Sequence, residues 1–449
     1  MKKLFATTLF CLVASAINLG TVSAQWAPQT NPISTIGSTV GKVQFVSATE
    51  GWINTDGGSL LHTTNGGSTW NIVTPFASDV VFTMSDPAFN MQFVNSSTGW
   101  VMKTYGSDYS SAAGAVVYYT TDGGTSWSKS LVSGNSGDVG AQLQFIDASN
   151  GWATTYNTST YQGKLYKTTN GGVTWTYVGT MPETDENTQF YFISTTTGWM
   201  LKINDNLGNV PEFSISKTTD GGATWTSQYM DNTSHGVYTQ EGCGAIQFID
   251  ANNGWAVGPQ GRIFKTTDGT NWTSISTSFT QKQNVYCKSL FIYDVNHVWI
   301  GGDPADQTTG SPKSHGIIST TDGGTTWTQE SLALVTTPFS IFYWDLNHGW
   351  VTADCTFYNG SATSTGQIYA YTSGTSSLPS VATSNIRIAT GNGTVTIFNL
   401  TTNDQIQVYS TTGQLIRSIT PDNDQVAISN LSSGVYLLRI GSYSAKVVI

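Results

Sequence analysis

The sequence has 449 residues, of which 38% are hydrophobic and 12% aromatic, so it can form more than one buried core and is not typical of a disordered chain. Only 10% of the residues are charged, and the formal net charge is −10, which removes the electrostatic attraction that nucleic acids and anionic membranes offer to their partners. We therefore expect no nucleic-acid partner.

Residues 1–24 are predicted to be a secretory signal peptide. Two lysines follow Met1, an apolar run extends from Leu4 to about Ile17, and small residues up to Ala24 indicate a cleavage site there. The apolar run is too short for a membrane-spanning helix, and no other stretch approaches the roughly 20 apolar residues that such a helix needs. We expect an exported chain without an integral membrane segment.

The sequence then repeats itself with a period of roughly 40 to 50 residues, which indicates a propeller or a solenoid. The first repeated feature is a strand-like run that ends in a turn and a tryptophan. It occurs seven times, with the tryptophans at Trp52, Trp100, Trp152, Trp199, Trp255, Trp299 and Trp350. Alternating segments such as Lys164–Thr168 follow these turns and predict half-buried strands.

The second repeated feature is Thr-Thr-Asp/Asn-Gly-Gly-x-Thr-Trp or a close variant, which we call the box. It predicts a tight hairpin, because glycine accepts positive φ and the Asx side chain hydrogen-bonds its own turn. The Asx residues of the six boxes are Asn65, Asp122, Asn170, Asp220, Asp268 and Asp322. Each repeat thus predicts four short strands, and the absence of a sustained helical period predicts an all-β protein.

The seventh repeat has a strand near Gln367–Tyr371 but no box after it. The segment around Trp26 resembles the outer strands that follow the other boxes, so we expect it to supply the missing fourth strand. This closure would remove free sheet edges, which otherwise promote aggregation. The prediction is a seven-bladed β-propeller over residues 25–376.

These boxes resemble the Asp-box repeats of sialidases, xyloglucan-cleaving glycosidases, sortilin-type receptors and photosystem II assembly propellers. The resemblance implies the propeller fold, and the box residues are expected to be structural, since enzymes and binding proteins share them. Sialidases hold a carboxylated substrate with three arginines, whereas Arg262 is the one arginine of this region. We therefore do not expect sialidase activity.

A linker is predicted over residues 377–385, and residues 386–449 predict a small β-sandwich of alternating strands. Segments 408–415, 431–440 and 445–449 resemble the C-terminal sorting domain of the type IX secretion pathway. The resemblance implies that the secretion machinery is a partner and that the protein is secreted or held on the outer surface of a bacterium. An ordinary adhesion-type β-domain is the alternative, and cleavage of this domain stays open.

The loops opposite the boxes vary in length and form the predicted ligand-binding face, because loops on a rigid scaffold usually carry function. Their acidic and aromatic candidates are Tyr105, Asp108, Tyr109, Tyr156, Tyr161, Asp205, Asp303, Asp306 and Tyr358. We expect a monomeric, non-enzymatic propeller that binds an extracellular glycan or protein through such residues. The alternative for each residue alone is a solvated loop position.

A second hypothesis is a polysaccharide-active glycoside hydrolase that uses carboxylates facing the central channel. The weak candidates are Asp138, Glu183 and Glu241, which could act as acid and base on a sugar or bind calcium. A hydrated acidic funnel is the alternative. No nucleophile with a neighbouring base is indicated, so we expect neither a metal site nor a cofactor, with calcium as the exception to test.

Three cysteines follow the predicted signal peptide. Cys243 and Cys287 each stand twelve residues before the turn tryptophan of adjacent repeats, so we predict a disulfide between them in an oxidising compartment. The spacing does not indicate a zinc site, and the state of Cys355 stays open.

Overall fold

The computed structural model divides the chain into two compact units, one formed by Ser23–Gly374 and the other containing Thr375–Ile449. Among the residues that the structure describes, no helix is long and apolar enough to cross a membrane. The described residues are 25–35, 38–56, 59–76, 79, 81–82, 90–106, 111–181, 188–204, 212–231, 244–259, 261–277, 287–302, 316–330, 332, 334, 338–353, 357–358, 361–362, 365–372, 387–391, 394–398, 400, 405–410, 415–429, 431, 435–440 and 443–448.

The first unit is built from antiparallel sheets. Its described residues form seven sheets of four or five strands and one two-stranded hairpin. Sheet 1 contains β2 (Val40–Phe45), β3 (Gly51–Thr55), β4 (Leu60–Thr63) and β5 (Asn71–Val73). Sheet 2 contains β6 (Val81–Phe82), β7 (Met91–Phe93), β8 (Gly99–Tyr105), β9 (Ala115–Thr120) and β10 (Ser128–Ser133). Sheet 3 contains β11 (Asp138–Phe145), β12 (Gly151–Asn157), β13 (Gln162–Thr168) and β14 (Thr176–Thr180).

The same order of strands continues along the chain. Sheet 4 contains β15 (Gln189–Phe192), β16 (Gly198–Asn204), β17 (Glu212–Thr218) and β18 (Thr226–Asp231). Sheet 5 contains β19 (Ala245–Phe248), β20 (Gly254–Gly258), β21 (Arg262–Thr266) and β22 (Thr273–Ser274). Sheet 6 contains β23 (Cys287–Ile292), β24 (Val298–Gly302), β25 (Gly316–Thr320) and β26 (Thr328–Gln329).

The last sheet combines strands from both ends of the unit. Sheet 7 contains β27 (Pro338–Asp345), β28 (His348–Ala353), β31 (Gln367–Thr372) and the N-terminal strand β1 (Gln25–Gln29), and the hairpin is β29 (Phe357–Tyr358) with β30 (Ser361–Ala362). β1 lies antiparallel to β31 with Trp26 opposite Tyr371, and the two ring centroids are 5.1 Å apart. The chain's first described strand therefore completes the sheet that has no box.

The innermost strands contact one another in chain order. These contacts run from β2 through β7, β11, β15, β19 and β23 to β27, and β27 contacts β2 in turn. The sheets thus form a closed ring, which confirms the predicted all-β propeller class. The number of blades and the predicted domain boundaries stay predictions.

Aromatic stacking joins each sheet to the next. Except for Trp255, each turn tryptophan stacks on the aromatic residue near the end of the next innermost strand. The centroid distances are 4.6 Å for Trp52–Phe93, 3.6 Å for Trp100–Phe145, 3.9 Å for Trp152–Phe192, 3.6 Å for Trp199–Phe248, 4.0 Å for Trp299–Tyr343 and 3.4 Å for Trp350–Phe45. The last pair joins sheet 7 to sheet 1 and closes the ring.

The boxes form the hairpins that their sequence predicts. In the box of Asp122, the carboxylate accepts hydrogen bonds from the Thr120 hydroxyl at 2.8 Å and from the Ser126 amide at 2.9 Å. Gly123, at φ 71°, donates its amide to the Ser97 carbonyl of the neighbouring turn at 2.8 Å. Hydrogen bonds from Ser126 and Thr120 lower the pKa of Asp122 to about 2. The box therefore fixes both turns at one end of its sheet.

The second unit is a two-sheet β-sandwich. One sheet contains β32 (Arg387–Gly391), β33 (Thr394–Phe398) and β36 (Gln425–Ile428), and the other contains β34 (Ile406–Ser410), β35 (Leu415–Ile419), β37 (Val435–Ile440) and β38 (Tyr443–Val448). Side chains from both sheets, among them Val395, Ile397, Val408 and Leu438, form one buried cluster. This shared core is typical of a sandwich.

The stacked pair that closes the ring should contribute strongly to stability. Trp350→Ala removes a buried indole and its hydrogen bond to the Gly66 carbonyl at 3.0 Å, so we expect a loss of about 3–5 kcal/mol in the free energy of unfolding. Trp344, which is 43% exposed, is the matched control, and Trp344→Ala should change stability by less than about 0.5 kcal/mol. Denaturant unfolding followed by circular dichroism measures both, and equal effects would contradict the closure.

Six of the seven turn tryptophans follow a glycine, and we expect the aromatic ring packed on that glycine to require it. A Cβ on Gly151 would lie 2.6 Å from the Phe145 ring, whereas sheet 6 pairs Val298 with the smaller Ile292. We expect Gly151→Val alone to cost about 3 kcal/mol through overpacking. Adding Phe145→Ile should recover at least about 1 kcal/mol of that loss in a double-mutant cycle. Strict additivity would show that the ring is not the cause.

Candidate functional site

The predicted loop residues fall partly outside the described residues. Asp108, Tyr109, Asp205, Asp303 and Asp306 lie outside them, and Tyr358 lies in β29 without a described side chain. The other three candidates are described.

The three described loop candidates differ in exposure. Tyr105 ends β8, half-buried, with the Lys129 ammonium 5.7 Å from its ring centroid. Tyr156 is not on an exposed loop: β12 continues through Asn157, and Tyr156 packs in a buried cluster with Ala112 and Val139. Tyr161 is 69% exposed, with a positive φ of 57° in the turn before β13. Only Tyr161 among the three therefore offers a fully exposed aromatic ring.

Asp138 lies in a closed ion pair instead of facing the channel. Its carboxylate lies 3.0 Å from the Lys164 ammonium and accepts hydrogen bonds of 2.6 Å from the Ser133 hydroxyl and the Asn157 amide. Burial acts to raise the pKa of Asp138, but these hydrogen bonds outweigh it and the pKa is lowered. The carboxylate is fully buried, ionised and occupied by its neighbours, which is a structural arrangement. Glu183 and Glu241 lie outside the described residues.

Two further predictions concern cysteines and metals. Cys287 begins β23 and is buried, while Cys243 and Cys355 lie outside the described residues, so the disulfide stays a prediction. Within the described part of the chain, no group of three His, Cys, Asp or Glu side chains could hold a metal ion.

A cavity of about 470 Å³ lies at the centre of the ring, lined by the innermost strands. Strand alternation places two rings of side chains on its wall. The ring eight residues before the turn tryptophans consists of Gln44, Gln92, Gln144, Tyr191, Gln247, Phe291 and Phe342. Its glutamines join neighbouring strands: the Gln44 amide donates to the Phe93 carbonyl at 2.6 Å and accepts from the Phe93 amide at 2.8 Å.

The second ring lies two residues earlier in each repeat. Its members that line the cavity are Lys42, Gln142, Gln189, Ala245, Ser289 and Ser340. Lys42 is the one charged residue among the described residues of the wall. No described residue hydrogen-bonds or pairs with its ammonium, and burial lowers the pKa of Lys42 to about 8.

The sequence analysis missed Lys42. The signal for it is the register of the repeat: ten residues before the turn tryptophan, the other repeats have only neutral side chains.

The turns of sheets 5, 6 and 7 expose apolar side chains on the box side of the ring. We call this set the apolar turn patch, and it comprises Ile249, Tyr293, Val295, Trp344 and Leu346, each between 39% and 47% exposed. The boxes hold two of these turns, because Gly269 donates to the Asn252 carbonyl at 2.9 Å and Gly323 donates to the Asn296 carbonyl at 3.0 Å. The sequence analysis assigned this face a structural role only.

Carboxylates border the apolar turn patch. Asp294 and Asp345 each accept backbone hydrogen bonds within their own turns, and their carboxylates lie 2.9 Å from His297 and His348 respectively. The patch therefore has an apolar centre and an acidic border.

Comparisons with known proteins agree with this architecture. Residues 18–184 match the family described as photosynthesis system II assembly factor YCF48, and residues 381–449 match the secretion system C-terminal sorting domain. No curated protein matches the sequence.

Three solved structures are similar to the propeller. YCF48 bound to a D1 peptide is 17% identical with a TM-score of 0.51, covering 78% of this chain and 97% of its own. YCF48 from Cyanidioschyzon merolae is 16% identical with a TM-score of 0.50, and the match covers 77% of this chain and 98% of that protein. The Niastella koreensis GH74 enzyme is 15% identical with a TM-score of 0.51, and the match covers 94% of this chain and 74% of that enzyme. At these identities the likeness shows the fold alone.

The two matched segments confirm the resemblances that the sequence indicates. The sorting domain makes the type IX secretion machinery a partner and places the protein outside the cell. The chain thus combines a propeller, of which residues 18–184 match the YCF48 family, with a type IX sorting domain, and it is a secreted or outer cell-surface protein of a bacterium.

Proposed function

We propose that this chain is a non-catalytic binding protein that engages an extracellular protein through the apolar turn patch. The observation that carries the proposal is the exposure of Tyr293, Val295, Trp344 and Leu346 on successive sheets of a rigid ring. Exposed apolar patches with a polar border are typical of protein interaction sites, and tryptophan and tyrosine are enriched at the centres of such interfaces.

The charge around the patch indicates the kind of partner surface. Asp294 and Asp345 border the patch, and the chain carries a formal net charge of −10. A partner with an apolar centre and Lys or Arg residues around it would be complementary in both respects. Peptide binding is compatible with the fold, because one structure of similar fold, YCF48, is bound to a D1 peptide.

The hydrolase hypothesis receives less support. Of its three candidate carboxylates, the described one, Asp138, is enclosed by Lys164, Ser133 and Asn157, so it has no free oxygen with which to act on a sugar. The similar GH74 enzyme supports the fold alone at 15% identity. A glycan ligand on the loops around Tyr161 is the remaining alternative, since this ring is 69% exposed.

Site-specific crosslinking on intact cells would test the proposal. A photo-crosslinking residue placed at Leu346 should give a discrete crosslinked protein, and the same residue at Tyr177, which is 52% exposed on sheet 3, should give none. Adding Trp344→Ser should reduce the crosslinked product by about 30-fold, because hot-spot aromatics contribute about 2 kcal/mol or more.

A glycan array and a polysaccharide hydrolysis screen separate the alternatives. Glycan binding that is lost in Tyr161→Ser and unchanged in Trp344→Ser would show that the ligand is a glycan and that the loops around Tyr161 bind it. Release of sugar that depends on Glu183 or Glu241 would establish the hydrolase instead. Equal crosslinking from both positions would also contradict a specific patch.

A further inference from the structure

The central cavity contains a charge without a counter-charge. The Lys42 ammonium lies on the cavity wall, and no carboxylate is found among the described residues that line it. The Lys42 side chain is half-buried, so its charge is accessible from the cavity to a ligand of opposite charge. Lys42 therefore calls for a partner that the described residues do not supply.

Another polar group on the cavity wall has unused hydrogen-bonding capacity. Gln189 lines the same cavity and is 7% exposed, and its side-chain oxygen has no hydrogen-bond partner among the described residues. By contrast, Gln142 in the same ring is occupied, because its amide bonds both the carbonyl and the amide of Phe190, at 2.8 and 2.7 Å. The unpaired ammonium of Lys42 is suited to a carboxylate, whereas the unpaired Gln189 oxygen is an acceptor and is suited to a hydroxyl or N–H group of a ligand.

The wall formed by β23 and β27 is largely apolar, with Ser289 and Ser340 as its polar members. The ammonium extends from β2, which packs against β27, and the rings of Phe291 and Phe342 on β23 and β27 lie 5.3 Å apart. Leu290 and Phe339 also line this side of the cavity. A volume of about 470 Å³ is within the range of small-molecule sites.

We propose that the central cavity is a binding site for an amphipathic carboxylate, whose carboxylate pairs with Lys42 and whose apolar body contacts Phe291 and Phe342. The carboxylate could belong to a free organic acid or to the C-terminus of a peptide that enters the ring. This site is separate from the apolar turn patch and does not depend on the proposed function.

Benzoate and its neutral analogue benzamide test the site by calorimetric titration of the full exported chain. Benzoate should bind at least 10-fold more tightly than benzamide, and Lys42→Met should remove that difference. Lys167→Met is the matched control, because Lys167 lies on β13 and bonds the Thr195 carbonyl outside the cavity. Absence of benzoate binding, equal binding of benzamide, or full binding by Lys42→Met would each overturn the proposal.

A short peptide that ends in phenylalanine, with a free or an amidated C-terminus, distinguishes the two sources. Tighter binding of the free-carboxylate peptide than of benzoate assigns the site to a chain end. Weaker binding assigns it to a free acid.

Thermal unfolding provides a readout that does not require a probe. Because the folded pKa of Lys42 is lowered from 10.5 to about 8, the ammonium destabilises the fold fully below pH 8, and this destabilisation fades as the pH rises toward 10.5. At pH 6 the melting temperature of Lys42→Met should therefore equal or exceed that of the wild type. Any excess in melting temperature should shrink above pH 8. Tyr191, the other titratable group on the described wall, is common to both proteins.

Benzoate should raise the melting temperature of the wild type and leave Lys42→Met unchanged. A melting temperature of Lys42→Met below that of the wild type at pH 6 would show that the chain itself supplies the counter-charge. That result would overturn the proposal, and it would be observed whether or not the apolar turn patch binds a protein.

Discussion

Stacking of six of the seven turn tryptophans on an aromatic ring of the next sheet is the contact on which the ring depends. Each such pair uses residues from two repeats, so separating two stacked sheets would expose an indole and its phenylalanine or tyrosine partner to water. Trp350 on Phe45, at a centroid distance of 3.4 Å, completes the set. Every sheet takes part in at least one such pair, so closure of the ring stabilises all of them, and β1 supplies sheet 7 with its fourth strand.

A second constraint concerns the edges that face the channel. An innermost strand has backbone groups without a neighbouring strand, and buried groups of this kind require partners. Glutamine supplies them, because its amide carries a donor and an acceptor in the geometry of a peptide group, as Gln44 does for Phe93. Where Phe291 and Phe342 replace glutamine, the wall becomes apolar. The central cavity thus has a polar side lined by glutamines and an apolar side lined by Phe291 and Phe342, and Lys42 lies between the two sides.

Local chemistry was enough to predict the boxes, the strand order and the strand that completes the last sheet, because each depends on residues within one repeat or on the likeness between repeats. Asp138 was harder to interpret, since its partner Lys164 is 26 residues away and is brought near only by pairing of β11, β12 and β13. Tyr156 belongs to a strand that extends beyond the expected turn. Lys42 and the apolar turn patch become visible only when the repeats are aligned by their tryptophans and exposure is known.

The apolar turn patch includes the one turn at which the repeat pattern is interrupted. In sheets 1 to 6 a box glycine bonds the neighbouring turn, but sheet 7 receives its outer strand from the N-terminus and has no box. Within its turn, Asp345 accepts the amides of Asn347 and His348 at 2.7 and 2.9 Å. Trp344 and Leu346 on this turn are 43% and 40% exposed, as Tyr293 and Val295 are at the same positions of sheet 6. A change at these two residues alters the surface without altering the ring, which is the condition under which a binding specificity can vary on a conserved architecture.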